Sequence, residues 1–172
     1  MRSPEEILRG GAGIIEAGIK EESRAQGHYL TGGLEKSLSH IAGKFGPFRM
    51  LTGTGVSYAN VLNYGVTAAR VPFKEGSGAG TSQYIEGLKQ FFMTRKGLGE
   101  KEALSAAIAT AKVHKKEGMP TRASYQYSST GARTGMIEIA MRKVEPRLDA
   151  HIVTGFDNLV SDVFARVKSE TV

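Results

Sequence analysis

The groups in this sequence that could do chemistry are four histidines, three aspartates and a set of cationic side chains in its later half. His28, His40, His114 and His151 form no His-Glu-x-x-His or other metal-ligand spacing, so they read as scattered surface or hairpin residues. Asp149, Asp157 and Asp162 are the only aspartates. They spread over one predicted helix face and its flank, which reads as a solvated face rather than a paired acid–base site. There is no Gly-x-Ser-x-Gly, and the serine of the run Gly53-Thr54-Gly55-Val56-Ser57 stands differently from that of a nucleophile elbow. Gly76, Gly78 and Gly80 lack the flanks of a phosphate loop, and the stretch from Gly27 to Leu34 lacks its lysine. The expectation is a protein with no catalytic residues, no metal ligands and no cofactor.

The cations carry more weight. Arg95 and Lys96, then Lys112, Lys115, Lys116, Arg122 and Arg133, fall at predicted helix ends and in the loop that follows, with Tyr125 and Tyr127 interleaved. Two readings are open: a phosphate-tracking surface with stacking aromatics, or a solvated lysine-rich helix end beside a turn. The second is favoured, because the order matches no base-reading module. The balance of 23 Lys and Arg against 17 Asp and Glu gives +6, which permits contact with nucleic acid or another acidic surface without requiring it.

The elements that position these groups begin with a predicted helix over residues 1–26. Ser3 is its cap, Pro4 suits the first turn, and Glu5 and Glu6 favour the positive end of the dipole. Its apolar face carries Gly11 and Gly18, each costing about 1 kcal/mol relative to Ala; that placement predicts close approach of another backbone. Gly27 ends the helix, His28 to Gly33 turn, and Thr31 caps a short helical turn containing Leu34, Glu35 and Leu38. Ser37–Lys44 and Phe48–Thr52 read as a β-hairpin broken by Gly46-Pro47. Lys74 to Thr81 is the clearest flexible loop. Two helices occupy residues 82–117, with apolar stripes through Tyr84, Ile85, Leu88, Phe91 and Phe92 and through Ala103, Leu104, Ala107, Ile108, Ala111 and Lys112. Residues 119–135 read as loop or extended chain. Helical pattern returns over 136–168, with a break or kink at Pro146.

The central stretch from Gly53 to Phe73 mixes Tyr58, Tyr64 and Phe73 with Asn60 and Asn63 among Gly53, Gly55 and Gly65. It has little helical amphipathicity. We read it as a β-to-loop crossing on a small sheet that presents a contact surface, the alternative being an ordinary turn-rich core connection, with a further short strand or turn around Val66 to Phe73. The chain has no Cys, which excludes a disulfide framework and a thiolate metal site. No apolar run approaches the roughly 18 residues of a membrane span, and the start at Met1 lacks the apolar region of a secretory signal. One domain over residues 1–172 is expected.

An N-terminal helix, Thr-Gly-x-Leu-x-x-Ser (Thr31, Gly32, Leu34, Ser37), a hairpin, and Tyr-Ala-x-x-x-Asn-x-Gly (Tyr58, Ala59, Asn63, Gly65) follow one another in that order. This order resembles the neck or tail-completion proteins of tailed bacteriophages. Asn63 stands where that family usually has Glu, and Val66-Thr67 replaces a single Thr. The resemblance extends to the run from Lys96 to Ala103 and the Gly-Met-Pro-Thr-Arg loop from Gly118 to Arg122; the helices from Ser82 to Glu117 look longer than the common form. It implies an α+β fold: a small antiparallel sheet packed by a long N-terminal helix and C-terminal helices, with an inserted helical pair. It also implies a structural virion protein without enzymatic activity, assembling as a homo-oligomeric ring at the head–tail junction with portal or connector and tail-tube proteins as neighbours and DNA passing through the channel. Thr31, Gly32, Leu34, Tyr58, Asn63, Tyr64, Gly65 and Phe73 are then the expected subunit or partner contacts, and Lys112, Lys115, Lys116, Arg122 and Arg133 the expected contacts to DNA or an acidic partner. No membrane contact is expected. The alternative is a sequence-independent nucleic-acid-binding protein.

Overall fold

The computed structural model describes residues 3–76 and 82–170. The fold is α+β, mostly helical with one small antiparallel sheet. Its contacts divide into two compact units. One comprises the chain up to Arg24, Leu34–Val56 and the chain from Met136; the other comprises Ala25–Gly33 and Ser57–Gly135.

In the first unit, helix α1 (Pro4–Ala25) is fixed at its start by a capping box. The Ser3 hydroxyl accepts from the Glu6 amide at 3.2 Å, and the Glu6 carboxylate accepts from the Ser3 amide at 2.7 Å. Two donors that a helix start leaves orphaned are thereby satisfied. Helix α1 runs antiparallel along α6 (Met136–Glu170), and glycines make the approach possible. A Cβ on Gly10 would stand 2.6 Å from His151 Nε2, one on Gly11 3.1 Å from Leu148 Cδ1, and one on Gly155 2.7 Å from Ile7 Cγ2. Gly18 faces Val144 in the same way. The close approach expected at Gly11 and Gly18 is present, though side chains rather than backbone fill most of the space. Polar bonds reinforce the seam: His151 Nε2 donates to the Ile7 carbonyl at 2.9 Å, and Lys143 Nζ lies 2.6 Å from the buried Glu22 carboxylate.

The hairpin pairs β1 (Ser39–Phe45) with β2 (Phe48–Thr54) from Ser39↔Thr54 to Phe45↔Phe48, closed by Gly46 at φ 59 and Pro47. Directly opposed residues share a face. One face carries His40, Ala42, Leu51 and Arg49. It lies on α1, with His40 3.1 Å from Glu16 and Arg49 paired to Glu5. The other face carries Ile41, Met50 and Phe48, which are 65%, 48% and 71% exposed.

In the second unit, α4 (Gln83–Lys96) and α5 (Glu100–Glu117) form an antiparallel pair. Gly97 at φ 66 ends α4 and returns its amide to the Met93 carbonyl at 3.0 Å. Ile85, Ala107 and Ala111 are buried between the helices, with Phe73, Leu88 and Phe92 packed around them. The alanine face lets α5 approach closely, as its sequence predicts. Lys112 does not belong to that face: it stands at the surface.

Several expectations are corrected. Gly53 to Phe73 is not a strand-to-loop crossing. It holds a seven-residue helix, α3 (Tyr58–Tyr64), and a 3₁₀ turn at Ala68–Arg70. Among the described residues no further strand extends the sheet; Val66 makes one isolated bridge, to Met119. The 119–135 segment contains a 3₁₀ helix at Arg122–Tyr127. Pro146 does not divide the last helix, which is continuous from Met136 to Glu170. The missing Pro146 amide affects only the Arg142 carbonyl, on an exposed part of the helix where water can replace the donor. Val144 and Leu148 hold both sides of the proline against Gly18 and Gly11. The loop expected over Lys74 to Thr81 lies, from residue 77 to 81, outside the described residues.

The glycine seam gives a direct test. Gly18→Ala gains about 1 kcal/mol of helix propensity and overpacks Val144, so it should lower stability by a net of about 1–2 kcal/mol. Gly13→Ala, where no atom lies within 4 Å of the added methyl, should raise stability by about 0.5–1 kcal/mol. Urea denaturation of the two variants checks the contrast, and pairing Gly18→Ala with Val144→Ala should cost less than the sum of the two changes.

Candidate functional site

The segment Thr31–Ser37 is a folding device more than a surface. Gly32 is buried at φ 76, with the Tyr29 ring against it. Leu34 is buried. In α2 (Gly33–Ser37) the Ser37 hydroxyl donates to the Leu34 carbonyl at 2.7 Å and accepts from the Val56 amide at 3.2 Å. One serine thereby closes the short helix and ties down the chain leaving β2. Glu35 beside it receives both Nε and Nη2 of Arg24 at 2.6 Å, which holds its carboxyl below the usual range.

The Tyr58–Gly65 segment behaves similarly. Asn63 is buried, and its carbonyl accepts from the Gly135 amide at 2.7 Å. Gly65, at φ 72, lies so close to the Met119 carbonyl that a Cβ would stand 2.5 Å from it; Gly118, at φ 86, approaches the Val66 carbonyl with 2.6 Å. These two glycines flank the Val66–Met119 bridge, whose amides bond the opposite carbonyls at 2.8 and 2.7 Å. The segment therefore joins the Gly118–Arg122 loop directly. Of the expected contact set, Thr31, Tyr58 and Tyr64 are exposed, the last at 73%. Leu34 and Asn63 are interior residues, and Phe73 packs into the α4–α5 core. As contact residues Leu34 and Asn63 are corrected, and with them the buried Gly32: their type and spacing serve packing.

The cationic set divides. Lys112, Lys115 and Lys116 line one concavity of about 570 Å³ with Phe73, Lys74 and Glu75. Lys112 Nζ pairs with Glu75 at 2.6 Å, and Lys115 Nζ reaches the Ala69 and Val71 carbonyls at 3.4 and 3.3 Å. Arg122 is exposed outside this group, its amide bonded to the Glu117 carboxylate at 3.0 Å. Arg133 is half-buried; its guanidinium bonds the Gln26 carbonyl beside Gly27. It lines a second hollow of about 210 Å³ with His28, Tyr29, Arg95, Lys96 and Tyr127. There Lys96 Nζ stands 5.9 Å above the Tyr127 ring, and Arg95 donates to the Tyr29 carbonyl at 3.0 Å.

The chain matches no protein-family model, no curated protein and no solved structure.

His28, His114 and Tyr84 are held in their neutral forms. Burial, aided by the Arg133 charge, pushes His28 down to about 4. The His114 ring accepts from the Tyr84 hydroxyl at 2.5 Å; burial lowers the histidine and raises the tyrosine to about 12. Among the described residues no group of three or more His, Asp or Glu could hold a metal ion, and no helix is long and apolar enough to cross a membrane. Sequence reasoning missed the Tyr84–His114 bond, which joins different helices and has no short-range signature. It also missed the outward hairpin face, which the alternation of Phe48 and Met50 with Arg49 and Leu51 does encode.

The pH dependence follows from the depressed His28. Its folded value lies below the unfolded 6.5, so the unfolded chain binds more protons between pH 6.5 and 4. Stability should be fully present above pH 6.5 and fall as pH drops through that window. His28→Gln should flatten the fall in urea midpoints measured at pH 7, 5.5 and 4.5. A residual decline of the same sign should remain from His114, and below about pH 4.5 from Glu16 and Glu35, whose folded values are lowered by Lys20 and Arg24 respectively.

Proposed function

We propose that this protein is a structural component of a tailed-phage virion, made in the host cytoplasm and assembled in several copies at the head–tail junction as a neck or tail-completion protein. It acts through contacts to its own copies and to portal and tail components, around the path of the DNA, and not by turnover of a substrate. The observation that carries this reading is a pair of separate apolar faces in the first unit: the hairpin face of Ile41, Phe48 and Met50, and the late part of α6, where Val153, Val160, Phe164 and Val167 are all more than half exposed. A monomeric soluble protein seldom leaves two such faces open. A ring closed by head-to-tail contacts needs two different faces on each copy. The ordered Thr31–Ser37 and Tyr58–Gly65 segments supply the resemblance in sequence.

The lysine concavity supports a secondary role as a sequence-independent contact to the DNA backbone. Replacing Lys112, Lys115 and Lys116 with Ala should weaken binding to short duplex DNA at low salt. It should also reduce the salt slope by roughly 0.9 for each phosphate that the variant no longer neutralises. Sedimentation of the purified chain and its localisation in assembled particles test the main reading. A multimer found between portal and tail is the expected result; a chain absent from mature particles that joins neither component overturns it.

A further inference from the structure

Helix α1 covers α6 only as far as Gly155, where Ile7 packs. Beyond that point α6 continues to Glu170. Starting at Val153, two residues before Gly155, an apolar series of Val153, Phe156, Val160, Val163 and Val167 recurs at alternating spacings of three and four, 36–58% exposed, and Phe164 beside them is 70% exposed. From these shares the stripe leaves on the order of 500 Å² of side chain uncovered, in the upper part of the roughly 300–600 Å² of a typical monomer's largest apolar patch, which is often functional.

We infer that the late face of α6 receives the outward hairpin face of a second copy of this chain, head to tail. This rests on the multi-copy reading above and names the two surfaces that meet. Three features select the hairpin as the occupant. The first is length: the stripe from Val153 to Val167 spans roughly 21 Å at 1.5 Å per residue, and a seven-residue strand of the hairpin spans roughly 20 Å from its first residue to its last. The second is width. A helix self-pair would bury a narrow seam and leave Phe164 at its edge, whereas a two-stranded sheet face covers the seam and its flank. The third is area. The hairpin face adds on the order of 350 Å², so the two together approach the roughly 1,000 Å² expected of a specific interface. Each copy then buries both of its faces, while self-pairing of α6 leaves every hairpin bare. A two-stranded hairpin is marginal without a covering layer, and α1 supplies one on one side only.

The chain has no native cysteine, which makes the test direct. Met50→Cys and Val163→Cys, both at exposed positions, are prepared separately and then mixed and oxidised at the full-length chain's assembly concentration. The expected result is a disulfide-linked two-chain product holding one of each variant, formed only in the mixture. In parallel, Phe48→Glu and Phe164→Glu should each sediment as monomers with unchanged circular dichroism, and mixing the two should restore dimers but nothing larger, since each retains one intact face. Self-linkage of Val163→Cys alone, or a multimeric mixture with no mixed product, overturns this inference and leaves the multi-copy reading standing. A chain that is monomeric at every concentration overturns both.

Discussion

The structure of the first unit depends on how closely α1 can approach α6. Gly10, Gly11 and Gly18 on one helix and Gly155 on the other remove the Cβ atoms that would hold the backbones apart. Into those gaps go His151, Leu148, Val144 and Ile7. Each glycine costs about 1 kcal/mol in helix propensity; the packing gained must exceed that, and close contact over several turns is how it does. The seam also admits charge. Glu22 is fully buried and tolerates burial because the Lys143 ammonium reaches it at 2.6 Å.

Helix α1 is thus a wall with two sides. Its glycine side meets α6, and its acidic positions Glu5 and Glu16 meet Arg49 and His40 of the hairpin. Because the pleat alternates, fixing Arg49 and His40 toward α1 fixes Phe48, Met50 and Ile41 away from it. The outward apolar face therefore follows from the register and from which residues pair with the helix. A slip of one residue would turn the charged set outward and bury the apolar set, losing both ion pairs.

Much of this architecture was legible in the sequence because punctuation is local. Ser3-Pro4, Gly27, Gly46-Pro47, Gly97 and Gly118 mark boundaries through backbone chemistry that needs no tertiary context. The inserted helical pair and its alanine face were legible for the same reason. The misreadings share a different cause. Helix α3 is seven residues long, and its aromatics and asparagines give no clean stripe, since only Asn63 is buried in it. Pro146 reads as a break, yet packing of Val144 and Leu148 on either side outweighs one lost hydrogen bond. Among candidate site residues, Lys112, Lys115 and Lys116 cluster because they lie within one turn and a half of a helix. Arg133 could not be assigned from sequence, because its partner is the carbonyl of Gln26, more than a hundred residues earlier.

The segments that carry the family resemblance turn out to be made of residues the fold requires. Gly32, Gly65 and Gly118 sit at positive φ, where a side chain is strained whatever the space around it. Leu34 and Asn63 are interior, and Ser37 bonds two backbone groups at once. Such positions constrain architecture and say nothing about a neighbour. The exposed apolar surfaces lie elsewhere, on the hairpin face and the late turns of α6, where the side chains take little part in the packing of the unit. If the multi-copy reading proposed above holds, such a chain can keep its frame while these exposed faces change, and its neighbours are then to be sought at Ile41, Phe48, Met50 and the stripe ending at Val167 rather than in the motif that fixes the fold.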